Sequence, residues 1–221
     1  MIITTKTQKL SATFRLTIAA ASLAATIGQL SLAKNMAAAL NLFSYFTIQS
    51  NLIVAVALIV ATLGPKQSIQ SAAMLRAATF WILITGIVFN VLLSSVYHPT
   101  GLAALISVVH HTVTPLAMLA NWIVFEEKGR TKIRDIGFWL AYPLVYLAGS
   151  LVRGLIDGFY PYWFINPTKP LPDGAGSWLG VGVAMAIISA GVIVGSLVMM
   201  ASDRAMARVE TMLTAKKHRG N

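Results

Sequence analysis

Residues 176–201 read GSWLGVGVAMAIISAGVIVGSLVMMA, twenty-six residues without a charge. A helix of that length extends about 39 Å at 1.5 Å per residue, more than the roughly 30 Å hydrocarbon core of a bilayer. Apolar all round, it suits a lipid environment, and the stretch reads as a membrane span. Five further runs of similar character precede it, at roughly 14–33, 41–63, 73–95, 102–125 and 136–156. The chain is 57% hydrophobic and 11% charged, with mean hydropathy +0.73. Soluble domains carry about 25% charged residues. The expected fold is therefore all-α, a polytopic bundle of six transmembrane helices. Residues 1–221 form one membrane domain, with short basic tails at about 1–12 and 203–221. The first run also fits a signal peptide, with its basic start and small residues near Ser31–Ala33. Its apolar stretch, Leu16–Ala33, exceeds the usual 7–15-residue signal core, which favours a retained span.

The net charge of +10 does not imply a nucleic-acid partner, because the cations lie between hydrophobic spans and form no single surface. They set a direction instead. With the N-terminus in the cytoplasm, the inner segments hold Lys6, Lys9, Arg15, Lys66, Arg76, Lys128, Arg130, Lys132, Arg134, Arg204, Arg208, Lys216, Lys217 and Arg219. The outer segments hold Lys34, Arg153 and Lys169. This 14-to-3 split follows the positive-inside rule and places both termini in the cytoplasm. There is no cysteine, so thiolate chemistry and disulfides are excluded.

Two polar clusters interrupt the apolar runs: Phe43-Ser44-Tyr45-Phe46-Thr47-Ile48-Gln49-Ser50-Asn51 and His110-His111-Thr112-Val113-Thr114-Pro115. Polar groups are costly in lipid and usually face a protein interior or a cavity. On a helix starting near Asn41, Ser44, Thr47 and Asn51 share one face, with Thr47 about 9 Å down. On a helix starting near Leu102, His110 lies about 12 Å down, the same outer layer. Asn90, Ser94 and Tyr97 reach that layer from the third span, and Arg153 and Asp157 from the fifth. Each group also has a plain structural reading. A buried Thr often bonds to its own helix backbone, an Arg near an interface snorkels, and a buried His braces a neighbour. Adjacent histidines point about 100° apart, so one is central to a site and the other braces.

Pro115 offers no N–H to the His111 carbonyl, and a bend is expected beneath the histidines; Pro143 is expected to act likewise in the fifth span. The outer segment 157–173 holds five aromatics in six residues and four prolines, and reads as an interfacial anchor or as a lid over the polar layer. Gly176-x-x-x-Gly180 and Gly191-x-x-x-Gly195 read as close-packing positions in the last helix.

A Thr hydroxyl becomes a useful nucleophile when His lies within hydrogen-bond reach, and Asn51, Asn90 or Arg153 are candidates to stabilise an oxyanion. Other chemistries fit less well. Zinc would draw on His98, His110, His111 and Asp157. A proton path wants carboxylates deep in the membrane, whereas Glu126, Glu127 and Asp135 sit at the edge. No cofactor is expected.

At Tyr45-Phe46-Thr47, at His110-x-x-x-x-Pro115 and at Tyr160-Pro161 the chain resembles the androgen-induced and androgen-dependent six-helix membrane proteins and their bacterial relatives. The characterised eukaryotic members are threonine hydrolases of fatty acid esters of hydroxy fatty acids. The resemblance implies Thr47 as nucleophile and His110, five residues before the proline, as base. From their place in the outer layer, Ser44, Asn51, Asn90, His111, Arg153 and Tyr160 are expected in supporting substrate or oxyanion roles. The resemblance also implies a lipid or fatty-acyl ester substrate; the depth of the polar layer suggests entry from the outer leaflet, and the expected location is a bacterial cytoplasmic (inner) membrane. Ile48-Gln49-Ser50-Asn51 is more polar than in the eukaryotic members, which leaves the substrate open. The rival reading is a non-catalytic small transporter or lipid-binding protein using the same pocket. Neither reading fixes an oligomeric state.

The charge split makes a direct prediction. A reporter fused after Asn221 is active only if the C-terminus is cytoplasmic; a periplasmic signal would overturn the six-span, positive-inside topology.

Overall fold

In a bilayer the backbone must satisfy its own N–H and C=O groups, and this chain does so almost wholly by helix. The structure, a computed structural model, describes residues 5–64 and 69–219. Of the cations counted above, Lys66 lies outside the described residues, as do the side chains of Lys216, Lys217 and Arg219. The elements are α1 (Thr5–Ser31), α2 (Met36–Leu42), α3 (Phe46–Leu63), α4 (Ile69–Val88), α5 (Gly101–Val108), α6 (Thr114–Phe125), α7 (Ile133–Asp157) and α8 (Trp178–Arg219). A π-helical turn, Phe89–Leu93, ends α4, and another, Val109–Val113, joins α5 to α6 into one span. Among the described residues six helices are long and apolar enough to cross a membrane, and the fold is an all-α six-helix bundle.

The bounds differ from the expected ones in three places. The second span begins at Phe46, because a short helix, α2, and a turn occupy 36–45. Ser44 is therefore in the turn, not on the face of Thr47 and Asn51. The basic tails are largely helical: α1 starts at Thr5, and α8 runs on to Arg219, past the point where its apolar run ends. Gly176 precedes α8 at φ +77°, a backbone region open to glycine, so it makes no helix contact; Gly195 faces Phe80 instead.

The core divides into two clusters. Ile18 and Ala19 of α1 pack with Val54 and Leu58 of α3, Leu75 and Ile82 of α4, and Met118 of α6. The second is aromatic: Phe80 stacks on Trp139 with ring centroids 5.0 Å apart, and the Trp81 indole donates to the Trp139 carbonyl at 2.8 Å. The first cluster is tight and the second ties α7 and α8 to it more sparingly. Leu144, Val145, Leu155 and Ile156 of α7 face outward.

The end of the bundle opposite the histidines carries a buried polar network that the sequence reading missed. Arg15 donates to Asn121 at 2.9 Å, Asn121 donates to Glu126 at 3.0 Å, and Asp203 of α8 accepts from the Thr131 amide at 2.9 Å. Burial pushes the Glu126 carboxyl up to about 7, against the pull of Arg15, Arg76 and Lys128. These bonds tie α1 to α6, and α8 to the connection between α6 and α7.

A bend was expected at Pro115; the helix before it is widened into a π turn. The Thr114 amide reaches back to the Val109 carbonyl, five residues away. Helices α4 and α6 close on this point through Gly86, where an added Cβ would lie 3.1 Å from the His111 carbonyl oxygen and from the Pro115 ring. Neither neighbour is a flexible side chain. α7, by contrast, runs through Pro143 as continuous α-helix. Replacing Gly86 by Val is expected to destabilise the protein by about 1–3 kcal/mol, the usual cost of overpacking. Thermal unfolding of the detergent-solubilised variant checks this; an unchanged Tm would mean the close approach is absent.

Candidate functional site

The wide turn sets which histidine faces which helix. His110 and His111 diverge, with ring planes at 85°. The His110 Nε2 lies 3.3 Å from the Thr26 hydroxyl of α1, and the His111 Nε2 lies 3.3 Å from the Thr47 hydroxyl of α3. The expected pairing of Thr47 with His110 is thus corrected. Counting back from Pro115 presumed a regular helix, and a turn of five-residue hydrogen bonds changes which residue points at α3. His110 meets Thr26 of α1 instead, a partner not anticipated from the sequence.

Three contacts hold the His111 ring. Its Nδ1 lies 2.9 Å from the Ser107 carbonyl oxygen, with the Ser107 hydroxyl at 3.2 Å. A carbonyl only accepts, so Nδ1 carries the proton and Nε2 presents a lone pair to Thr47. Phe89, from the π turn that ends α4, stacks on the ring with centroids 3.6 Å apart and planes 9° from parallel. The arrangement is a hydroxyl, a base, and a third group that orients the base.

Thr47 is the second residue of α3, so its amide is among the helix-terminal N–H groups without an intrahelical partner. That amide donates to the Tyr162 phenol at 3.4 Å, and the Thr47 hydroxyl lies 3.5 Å from the same oxygen. Tyr162 sits in the aromatic segment before α8, between Tyr45 at 5.6 Å and Phe164 at 5.2 Å, centroid to centroid. Burial raises its phenol pKa and the contacts with Thr47 offset this in part, so the group stays protonated and able to donate. This segment was the candidate lid, and Pro161, Tyr162 and Trp163 do form a wall of the cavity over Thr47.

The supporting residues expected from sequence are nearby but spent on structure. Asn51 is fully buried; its amide donates to the Thr47 carbonyl at 2.9 Å and the His110 carbonyl at 3.4 Å, while its oxygen accepts from Ser22. Asn90 donates to the Gly86 and His111 carbonyls, so it re-satisfies the oxygen that Pro115 strands. Arg153 donates to Ser44 and to Asn41, pairs with Asp157 at 3.0 Å and lies over Phe159. Ser44 also receives Tyr146 on its carbonyl. Tyr160 packs on Gly154. None of Ser44, Asn51, Asn90, Arg153 or Tyr160 lines either cavity at Thr47. Tyr162 and Ser107 were missed. The i, i−4 spacing of Ser107 and His111 was visible in the sequence; the fold of the aromatic loop that brings in Tyr162 was not.

Comparison of the chain with known protein families, curated proteins and solved structures gives no match. The chemistry must therefore be read from the site itself. Among the described residues no three His, Asp or Glu side chains gather to hold a metal; His98 caps the Ser95 carbonyl at 3.1 Å, away from the other two histidines.

Two cavities meet at Thr47, Phe89, Leu93 and Tyr162. One, about 450 Å³, lies under the loops at this end and contains both histidines. The other, about 220 Å³, is an apolar groove bounded by α4, α7 and α8. The geometry predicts the His111 tautomer. Nitrogen-15 NMR of labelled protein near neutral pH is expected to show Nδ1 protonated and Nε2 bare; the reverse pattern would remove the base from Thr47.

Proposed function

We propose that the protein is a membrane-embedded hydrolase of lipid or acyl esters, with Thr47 as nucleophile and His111 as base. The observation that carries this is the 3.3 Å approach of the His111 Nε2 to the Thr47 hydroxyl, with the Ser107 carbonyl behind the ring. In this reading the Thr47 oxygen attacks the ester carbonyl and its proton passes to Nε2. The carbonyl oxygen becomes an oxyanion beside the Thr47 amide and the Tyr162 phenol, at the positive end of the α3 dipole. Collapse of the intermediate breaks the ester bond, and His111 gives its proton to the departing alcohol. A water then enters, loses a proton to His111 and attacks the acyl-Thr47. The fatty acid leaves and the Thr47 hydroxyl is restored. Both half-reactions balance with water alone and call on no cofactor.

The orientation belongs to the same proposal. The loops at the opposite end hold Lys128, Arg130 and Lys132, so the site end faces away from the cytoplasm, in a bacterial inner membrane. The resemblance to the androgen-induced threonine hydrolases agrees with the nucleophile but assigned the base to the neighbouring histidine.

Labelling with a fluorophosphonate probe tests this. Thr47→Ala is expected to abolish both labelling and ester hydrolysis. His111→Ala is expected to lower both by about 10³-fold or more, since members of a catalytic unit are not additive. His110→Ala is expected to cost far less, through looser packing of α1. Thr47→Ser keeps the hydroxyl and some activity. If Thr47→Ala and His111→Ala both keep full activity, the pocket serves recognition, and a non-catalytic lipid-binding or transport role replaces the hydrolase.

A further inference from the structure

The two cavities differ in character, and the difference assigns the two arms of a substrate. The groove is built from apolar side chains: Ile84 and Val88 of α4, Leu140 and Leu144 of α7, and Met185 and Ile188 of α8. Along α8 its lining runs from Met185 to Ile193, about 12 Å of helix. Leu144 and Ile193 on its border are exposed, so it opens sideways, where a bilayer's hydrocarbon lies. A chain lying in lipid enters it without crossing water.

The other cavity lies beneath the segments 94–100 and 158–165, at the end of the bundle. Its lining mixes apolar residues such as Leu42, Ile48 and Val96 with more polar ones than the groove has: Gln29, Tyr45, Tyr97, Ser107 and both histidines. Trp163 lines it too, and its buried indole N–H has no partner in the structure. Unpaired buried donors are costly, and an oxygen-bearing ligand relieves the cost. The Trp163 N–H is a donor that a hydroxylated group satisfies and that a second hydrocarbon chain would leave unpaired.

Resting on the hydrolase reading, we propose that the substrate is an ester of one long fatty acid with a small polyhydroxylated or otherwise polar alcohol. The acyl chain lies in the groove between α4, α7 and α8, and the alcohol lies in the polar cavity. The ester carbonyl falls at Thr47, where the two spaces join. After cleavage the polar alcohol leaves toward the aqueous end, and the fatty acid returns sideways to the bilayer.

The full chain in lipid nanodiscs tests this with three defined esters. These are 1-oleoylglycerol, 1-butyrylglycerol, which lacks the long chain, and oleyl oleate, which carries hydrocarbon on both sides. The expected kcat/KM for 1-oleoylglycerol exceeds each of the others by about tenfold or more. Ser189→Trp on α8, and separately Leu144→Trp on α7, fill the groove from exposed positions that tolerate a larger side chain. Each is expected to lower oleoyl turnover about tenfold and butyryl turnover by a clearly smaller factor. Oleyl oleate cleaved as fast as 1-oleoylglycerol, or an equal loss on both glycerol esters in both variants, overturns the assignment. A diazirine-bearing stearoylglycerol gives a readout independent of turnover. Its crosslinks are expected on α7 and α8 within the groove. Crosslinks confined elsewhere overturn the arm assignment even if hydrolysis is found. Crosslinks in the groove with no hydrolysis of any ester overturn the hydrolase reading and keep the two-armed pocket.

Discussion

Pro115 has no amide proton to give the His111 carbonyl, and the site is arranged around that missing bond. In a bilayer the stranded oxygen cannot turn to water, so the protein must supply a donor. Asn90 of α4 does so, drawn close because residue 86 is glycine. The helix widens to a π turn, the two histidines swing onto different neighbours, and one of them meets Thr47. π turns recur at functional sites because they turn side chains to directions an even helix does not offer.

The same polar groups fasten the fold and frame the candidate chemistry. Asn51 ties Ser22 of α1, the Thr47 turn of α3 and the histidine turn into one unit. Interhelical hydrogen bonds of this kind contribute about 0.6–2 kcal/mol each in membranes, so the network matters for precision more than for bulk stability. A nucleophile and a base on separate spans stay aligned only if the spans cannot slide. The asparagines, His110 with Thr26, and the Arg15–Asn121–Glu126 network at the other end all resist sliding. α7 and α8 are held more loosely, and the apolar groove lies between them and α4. Rigid pairing on one side and a yielding wall on the other suit a site that must admit a lipid.

Much of this was legible in the chain. The six spans follow from composition and length; the depth count for Thr47 did not hold, because the span begins at Phe46 and not near Asn41. The choice between His110 and His111 did not follow, because a one-residue change in hydrogen-bond spacing leaves no trace in residue type. The partners of Asn51, Asn90 and Arg153 did not follow either, for a related reason. A polar side chain in a membrane reads as site or as brace with equal ease, and only its partners decide. Tyr162 was hidden in a loop whose composition fits an interfacial anchor. Its approach to Thr47 depends on Phe164 and Ile165 burying themselves, a tertiary event with no local signature.

The pairing of Thr47 with His111 is tested most directly by an experimental structure of the protein after reaction with a fluorophosphonate. The account predicts phosphorus bonded to the Thr47 oxygen, with the His111 Nε2 the nearest ring nitrogen and the Thr47 amide and Tyr162 phenol within hydrogen-bond reach of the phosphoryl oxygen. An adduct on another residue, or on Thr47 with His110 in the adjacent place, would contradict it.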